Sequence, residues 1–320
     1  MDTKTLIEKI KGINYKAFMP VLFCLLLIAL FTSMNPRFFS VDNFSTLLRQ
    51  SSILLIISLS MNFVILAGSI DLSLGQSVSI AGVASALLVN ELGYGVIFVG
   101  LAVGMLVGLM NGCIHVFGKM PSFLTTLATA SILSGLTLII SGGQPIPLRV
   151  DWFTAIANNT IIPHIPNIFI WAVLLYAISI FIQFRTKFGR QLFAVGGGEY
   201  IAALSGVNVK KVKILAFTTG GTIGGLAGVL LSSRLGAAHS NMGEPFLMLA
   251  VASVVIGGTS LTGGVGGVHR NILGVIVIAM LSNGMDVVGI HPHIQVLIRG
   301  VVIIMAVIFS MDRSKITVFK

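Results

Sequence analysis

Carboxylates, imidazoles and thiols do most of the chemistry in proteins, and this sequence keeps them sparse and scattered. It has ten acidic residues, six histidines and two cysteines in 320 positions. No HExxH pair and no zinc-type Cys/His spacing occurs, so no metal ligand set is expected. No GxxxxGK[ST] phosphate loop occurs either, so the chain is not expected to bind or hydrolyse ATP itself. The run "GGVGG" at Gly263–Gly267 lacks the lysine and hydroxyl of such a loop and reads as a turn. Cys24 and Cys113 fall in apolar runs, as small buried hydrophobes rather than disulfide partners. His115 reads as a hydrogen-bonded structural histidine, and His291 and His293 as solvated groups around Pro292. Asp286 and Arg299, near the ends of consecutive runs, read as a pair.

One carboxylate stands apart. Asp71, in "GSIDLSLG", sits between two apolar runs, where a charge is costly unless paired or wetted. Two roles are open to it: a group facing a cavity or gate, or a cap accepting from the first N–H groups of the next helix. Asn111 and Gln144 are the other side chains expected near a translocation pathway or gate.

A second kind of chemistry, docking, is suggested by "GRQLFAVGGGEYIAALSGVNVKKVK", Gly189 to Lys213. It is a polar stretch between apolar runs. Glu199, Ala202, Ala203 and Gly206 recur at i, i+3, i+4 and i+7, one face of a short helix. Small side chains there let a partner's groove close around the helix. Gly196–Gly198 free the chain just ahead of it, and Lys210, Lys211 and Lys213 suit lipid headgroups.

The elements that must position these groups lie in a bilayer. The chain is 55% hydrophobic, 9% charged and has a mean hydropathy of +1.01, against roughly 25% charge in soluble domains. Helices are expected, because each satisfies its own backbone hydrogen bonds. The apolar runs approach the ~20 residues that cross a membrane, and the ~10-residue alternation of a barrel is missing. The fold class is therefore an all-α integral membrane protein with about ten spans. These are roughly 17–33, 52–67, 74–90, 95–117, 121–142, 167–184, 214–233, 247–262, 268–288 and 295–311. The third and eighth are short or interrupted by polar residues, so eight spans with re-entrant pieces is the alternative.

Placing the N-terminus in the cytoplasm puts 15 Lys and Arg inside and 5 outside, the latter being Arg37, Arg49, Arg149, Arg234 and Arg299. That asymmetry sets the orientation, with both termini cytoplasmic. It also accounts for the net charge of +10 without a nucleic-acid partner. The expected organisation is a cytoplasmic segment 1–16, one transmembrane domain 17–311 with an inward loop 185–213, and a cytoplasmic tail 312–320. No small-residue cleavage site follows the first run, which reads as an uncleaved span. Trp152 and Trp171 suit an outer aromatic belt.

Gly104 with Gly108, and Gly220, Gly224 and Gly228, form small-xxx-small rows that let helices approach closely. A weak internal echo links Val64–Gly75 to Val254–Gly266, and Met110–Pro121 to Ser282–Pro292; the two NG pairs fall on opposite sides of the expected topology.

Four stretches, "NFVILAGSIDLSLGQ", "GLMNGCIHVFGKMPSFLTTLAT", "FGRQLFAVGGGEYIAALSGVNVKKVKI" and "VASVVIGGTSLTGGVGG", carry a resemblance over nearly the whole chain. It resembles the membrane permease subunit of the ribose-type sugar ABC importers, which take up ribose, allose, xylose, arabinose or galactose. The resemblance implies a multi-pass protein of the bacterial inner membrane working as a permease dimer. A periplasmic sugar-binding protein would deliver substrate, and a separate cytoplasmic ATPase subunit would bind ATP. It also implies ATPase-coupling roles for Gly196, Gly197, Glu199, Ala202, Ala203 and Gly206. Two positions depart from the family pattern. Gly198 stands where an Asn is usual, and Phe246–Ser253 ("FLMLAVAS") lacks two acids of the usual "YELDAIAA". A secondary carrier or passive channel for a small polar solute is the alternative. A carrier needs buried carboxylates for its coupling ion, and Asp71 is a thin supply.

Overall fold

A computed structural model of the chain describes residues 15–310. Of the expected cytoplasmic segment 1–16, residues 1–14 fall outside the described residues, as does the tail 312–320. The helices are α1 (Tyr15–Met34), α2 (Val41–Leu66), α3 (Leu74–Leu92), α4 (Val96–Phe117), α5 (Ser122–Ser141), α6 (Asp151–Asn158), α7 (Asn167–Arg185), α8 (Lys187–Gly197), α9 (Glu199–Leu204), α10 (Val209–Leu235), α11 (Glu244–Ile256), α12 (Val268–Val288) and α13 (Pro292–Ser310). Two-residue strands β1 (Ile146–Pro147) and β2 (Ala237–Ala238) pair antiparallel, with Ile146 opposite Ala238. Each of the ten apolar runs contains a helix. Among the described residues, six apolar segments are able by length and composition to cross a membrane: α2, the α3–α4 segment Leu74–Phe117, α5, α7, α10 and α12. The chain is an all-α membrane protein.

Two elements differ from expectation in extent. Helix α2 starts eleven residues before the apolar run, because the Ser40 side chain caps it by accepting from the Asn43 N–H at 3.2 Å. Helix α11 stops at Ile256, short of 262. Gly258 there takes a left-handed conformation (φ 89°), and Gly258 and Thr259 donate back to Val255 and Val254. Gly68 and Ser69 close α2 in the same way on Ile65 and Val64, so the sequence echo marks two copies of one helix terminus.

Helix α10 is the axle of the fold. Added Cβ atoms on Gly104, Gly108, Gly221 and Gly225 would lie 2.1–2.3 Å from carbonyl oxygens across the α4–α10 contact. The other glycine row of α10 faces elsewhere: Gly220 meets Ser60 of α2, Gly224 meets Leu74, and Gly228 meets the Val78 carbonyl of α3. Two adjacent glycine stripes let three helices touch α10 backbone to backbone. Dispersion and close approach, rather than exclusion from water, hold helices together in lipid. Helix α2 is buried without a break from Ser52 to Leu66, its polar side chains Ser52, Ser58, Ser60 and Asn62 included.

Candidate functional site

The polar stretch folds into two helices. Thr186 caps α8 by accepting from the Gly189 N–H at 3.1 Å. Helix α9 ends at Gly206 (φ 78°), where Gly206 and Val207 donate to the carbonyls of Ala203 and Ala202, each at 3.0 Å. The four residues expected on one docking face separate. Ala202 is 3% exposed and packs into the main core, whereas Glu199, Ala203 and Gly206 are exposed. The i to i+7 spacing needs two full turns, and α9 has only six residues. Ala202 is the seat of the helix. Its outward surface is Tyr200, Ile201 and Leu204, which are 76%, 69% and 72% exposed. The sequence signal for this face was Tyr200, Ile201 and Leu204, the large apolar side chains of the short run "EYIAAL".

Glu199 anchors α9. Its carboxylate pairs with Lys213 of α10 at 2.5 Å, and Lys213 Nζ lies 3.4 Å from Nε2 of His115 at the end of α4. His115 Nδ1 lies 2.6 Å from the Met120 carbonyl, so Nδ1 carries the proton and Nε2 accepts from Lys213. His115 is structural, as its sequence context suggests. Lys213 is 12% exposed and belongs to this ion pair rather than to headgroups, while Lys210 and Lys211 are exposed. A cleft of about 590 Å³ opens beside α9, lined by His115, Lys119, Pro121, Tyr200, Ala203 and Lys210 among others.

The glycines ahead of α9 have different roles. A Cβ on Gly196 would fall 1.9 Å from the Leu66 carbonyl oxygen and 2.4 Å from the Gly264 nitrogen; one on Gly197 would meet open space. Gly264 N–H donates to the Leu66 carbonyl at 3.0 Å. The end of α2, the end of α8 and the Gly263–Gly264 turn thus touch through their backbones. The Gly198 backbone is extended, and a Cβ there would meet only Ile201 side-chain atoms at 3.7 Å or beyond.

Behind this junction lies a buried amide network that sequence reading missed. Asn62 donates to Thr259 Oγ1 (3.1 Å) and Asn271 Oδ1 (3.0 Å); Gln183 donates to Asn62 Oδ1 (3.2 Å) and accepts from the Val268 N–H (2.7 Å). Asn271 closes it on the Ser58 carbonyl at 3.0 Å. It ties α2, α7, α12 and the turn after α11 together. The only sequence sign was amides within apolar runs.

Asp71 and Asn111 come together through Ser73. Asp71 Oδ1 accepts from the Ser73 N–H (2.8 Å) and hydroxyl (2.6 Å), and Asn111 Nδ2 donates to Ser73 Oγ (2.7 Å). Asp71 is 3% exposed and Asn111 fully buried. Ser73, not Asp71, holds the cap position of α3. Gln144 is exposed in the turn between α5 and β1, at the far end of α5 from Ser122, and does not join them. Asp286 and Arg299 are bridged by Gln295 instead of touching: Gln295 donates to Asp286 at 2.9 Å and accepts from Arg299 at 2.8 Å.

Residues 43–307 match a family described as the permease component of branched-chain amino acid transport systems. The chain belongs to this permease family. It is 38% identical to the ribose import permease RbsC of Haemophilus influenzae, over 89% of this chain and 90% of that one. It is 36% identical to RbsC of Bacillus subtilis, over 98% and 99% of the two chains. It is 33% identical to the D-allose permease AlsC of Escherichia coli K12, over 90% and 89%. No solved structure matches it. As a permease component the protein is a transport subunit and not an enzyme, and the family's sequence spans nearly all of the helices described above.

Proposed function

We propose that this permease is the membrane subunit of an ABC importer that carries a monosaccharide of the ribose or allose kind across the bacterial inner membrane. ATP is bound and hydrolysed by a separate cytoplasmic subunit, and a periplasmic binding protein delivers the sugar to a permease dimer embedded in lipid. The chain contributes ten membrane helices or half-helices, with α9, the α4–α5 turn and both termini facing the cytoplasm. Gln144, β1 and β2 then lie on the periplasmic side. The names of the relatives support the solute class, and the excess of Lys and Arg on the α9 side supports the orientation.

The carrying observation is the surface of α9. An apolar triplet, Tyr200, Ile201 and Leu204, stands out of a polar segment on a helix seated by Ala202 and tied by Glu199 to Lys213. A side chain of this size releases about 1.5–3 kcal/mol when a partner covers it. Motion imposed there reaches α2 and the Gly263–Gly264 turn through Gly196, with no compliant side chain between. Gly196, Gly197, Glu199, Ala202, Ala203 and Gly206 thus serve coupling in distinct ways: contact, seating, tether and turn.

The test is co-purification in mild detergent. The native chain retains an ATPase subunit, and Ile201→Asp with Leu204→Asp lowers its recovery at least tenfold while the permease still inserts. Full recovery with the double variant contradicts the assignment.

A further inference from the structure

Helix α11 does not start at the membrane surface. Gly243, just ahead of it, donates its N–H to Ser79 Oγ of α3 at 3.0 Å, and a Cβ on Gly75 would lie 3.1 Å from the Glu244 Cα. Neighbouring Leu74 touches Gly224 of α10. At ~1.5 Å per residue, Gly224 lies about 16 Å from the Leu235 end of α10 and about 22 Å from its Val209 end. After α10 the chain therefore turns back through β2, and residues 239–243 descend without regular structure to about the middle of the molecule. There α11, 13 residues and about 20 Å long, begins.

That descending segment is polar: "HSNMGE", His239 to Glu244. Glu244 and Asn241 are exposed, and His239 Nδ1 lies 3.2 Å from Asn241 Oδ1. Glu244 is the only charged residue of α11 and has no ion-pair or hydrogen-bond partner for its carboxylate among the described residues. Irregular backbone at membrane depth is tolerated only where protein buries it or water wets it, and an exposed carboxylate against lipid is costly. Met242 and Gly243 are buried against α3, which leaves Asn241 and Glu244 on the open side of the segment, where the cost of a carboxylate in lipid favours a wet surface.

We propose that His239–Glu244 lines the solute passage, and that Glu244 selects neutral, polyhydroxylated solutes over anionic ones such as sugar acids and sugar phosphates. A carboxylate accepts two hydroxyl hydrogen bonds from a passing sugar and repels a like charge. The identity of the solute rests on the importer assignment; the wet, negative passage does not.

Thiol labelling of the full chain in membranes tests it, in a Cys24→Ala, Cys113→Ala background. Asn241→Cys is treated with membrane-impermeant cationic and anionic methanethiosulfonates, each rate divided by that of a free thiol in solution. Asn241→Cys reacts at least tenfold faster than Ile132→Cys, whose residue is exposed on apolar α5. It prefers the cationic reagent by about tenfold, and Glu244→Gln brings that preference close to one. Labelling no faster than Ile132→Cys overturns the passage, and a charge preference unmoved by Glu244→Gln overturns the role of Glu244. Neither readout needs sugar, ATP or a partner, so a failed co-purification experiment leaves this result standing, and the converse holds.

Discussion

Neighbouring residues of one type carry opposite consequences here. Gly196 and Gly197 are both helical glycines at the end of α8, yet a methyl group at the first meets the Leu66 carbonyl and at the second meets nothing. Gly196→Ala is expected to cost about 2 kcal/mol or more, as overpacking against backbone does. Gly197→Ala gains a few tenths through helix propensity. Thermal unfolding of the purified variants separates the two. Asp71 gives a second contrast. Asp71→Asn keeps an oxygen that accepts from the Ser73 N–H and hydroxyl, and is expected to unfold within about 1 kcal/mol of the parent. Asp71→Ala strands both donors and costs about 1–3 kcal/mol more. Equal losses for the two variants would mean that charge, not hydrogen bonding, is what Asp71 supplies. The sequence marked Asp71 as unusual, but a hydrogen bond to a residue two positions ahead is invisible without the backbone. Asn111 sits beside Asp71 through Ser73, and Gln144 lies beyond the other end of α5, because polarity near a span end carries no information about which end.

At the scale of elements, the helices were legible because each apolar run is bounded by polar residues, prolines or glycines. Length was less so. The capped start of α2 lies in polar sequence, and the early stop of α11 depends on Gly258 turning left-handed. Helix α9 lies in the segment that the sequence singled out, and of the four residues expected on one face Glu199, Ala203 and Gly206 are exposed while Ala202 is buried. Spacing alone ranked small residues together, and only packing shows that Ala202 is the one that α9 rests on. This splits a pair of substitutions. Ala202→Trp must unseat α9 and break the Glu199–Lys213 pair, whereas Ala203→Trp adds bulk to an exposed position beside the cleft. Limited proteolysis between Gly198 and Val209 is therefore expected to accelerate several-fold with Ala202→Trp and to stay unchanged with Ala203→Trp.

Across the whole molecule, α10 fixes the distance between the two working regions. Its glycine stripes lock α4 on one side and α2 with α3 on the other. The Gly196–Leu66–Gly264 junction and the Asn62–Gln183–Asn271 network lie between α9 and the helices that contact α11. Under the proposed coupling, a push on α9 meets rigid contacts along the route to α11, which suits a passage that switches between two states rather than flexing continuously. The glycine rows announced close packing in the sequence, but the number of stripes and their partners required the fold.

The measurement that bears most directly on the importer assignment is uptake of radiolabelled ribose and allose into vesicles holding the permease, its ATPase subunit and the binding protein. The account predicts uptake that requires ATP and falls at least tenfold with Ile201→Asp and Leu204→Asp. Equal uptake with and without ATP would contradict it and make the chain a carrier or channel.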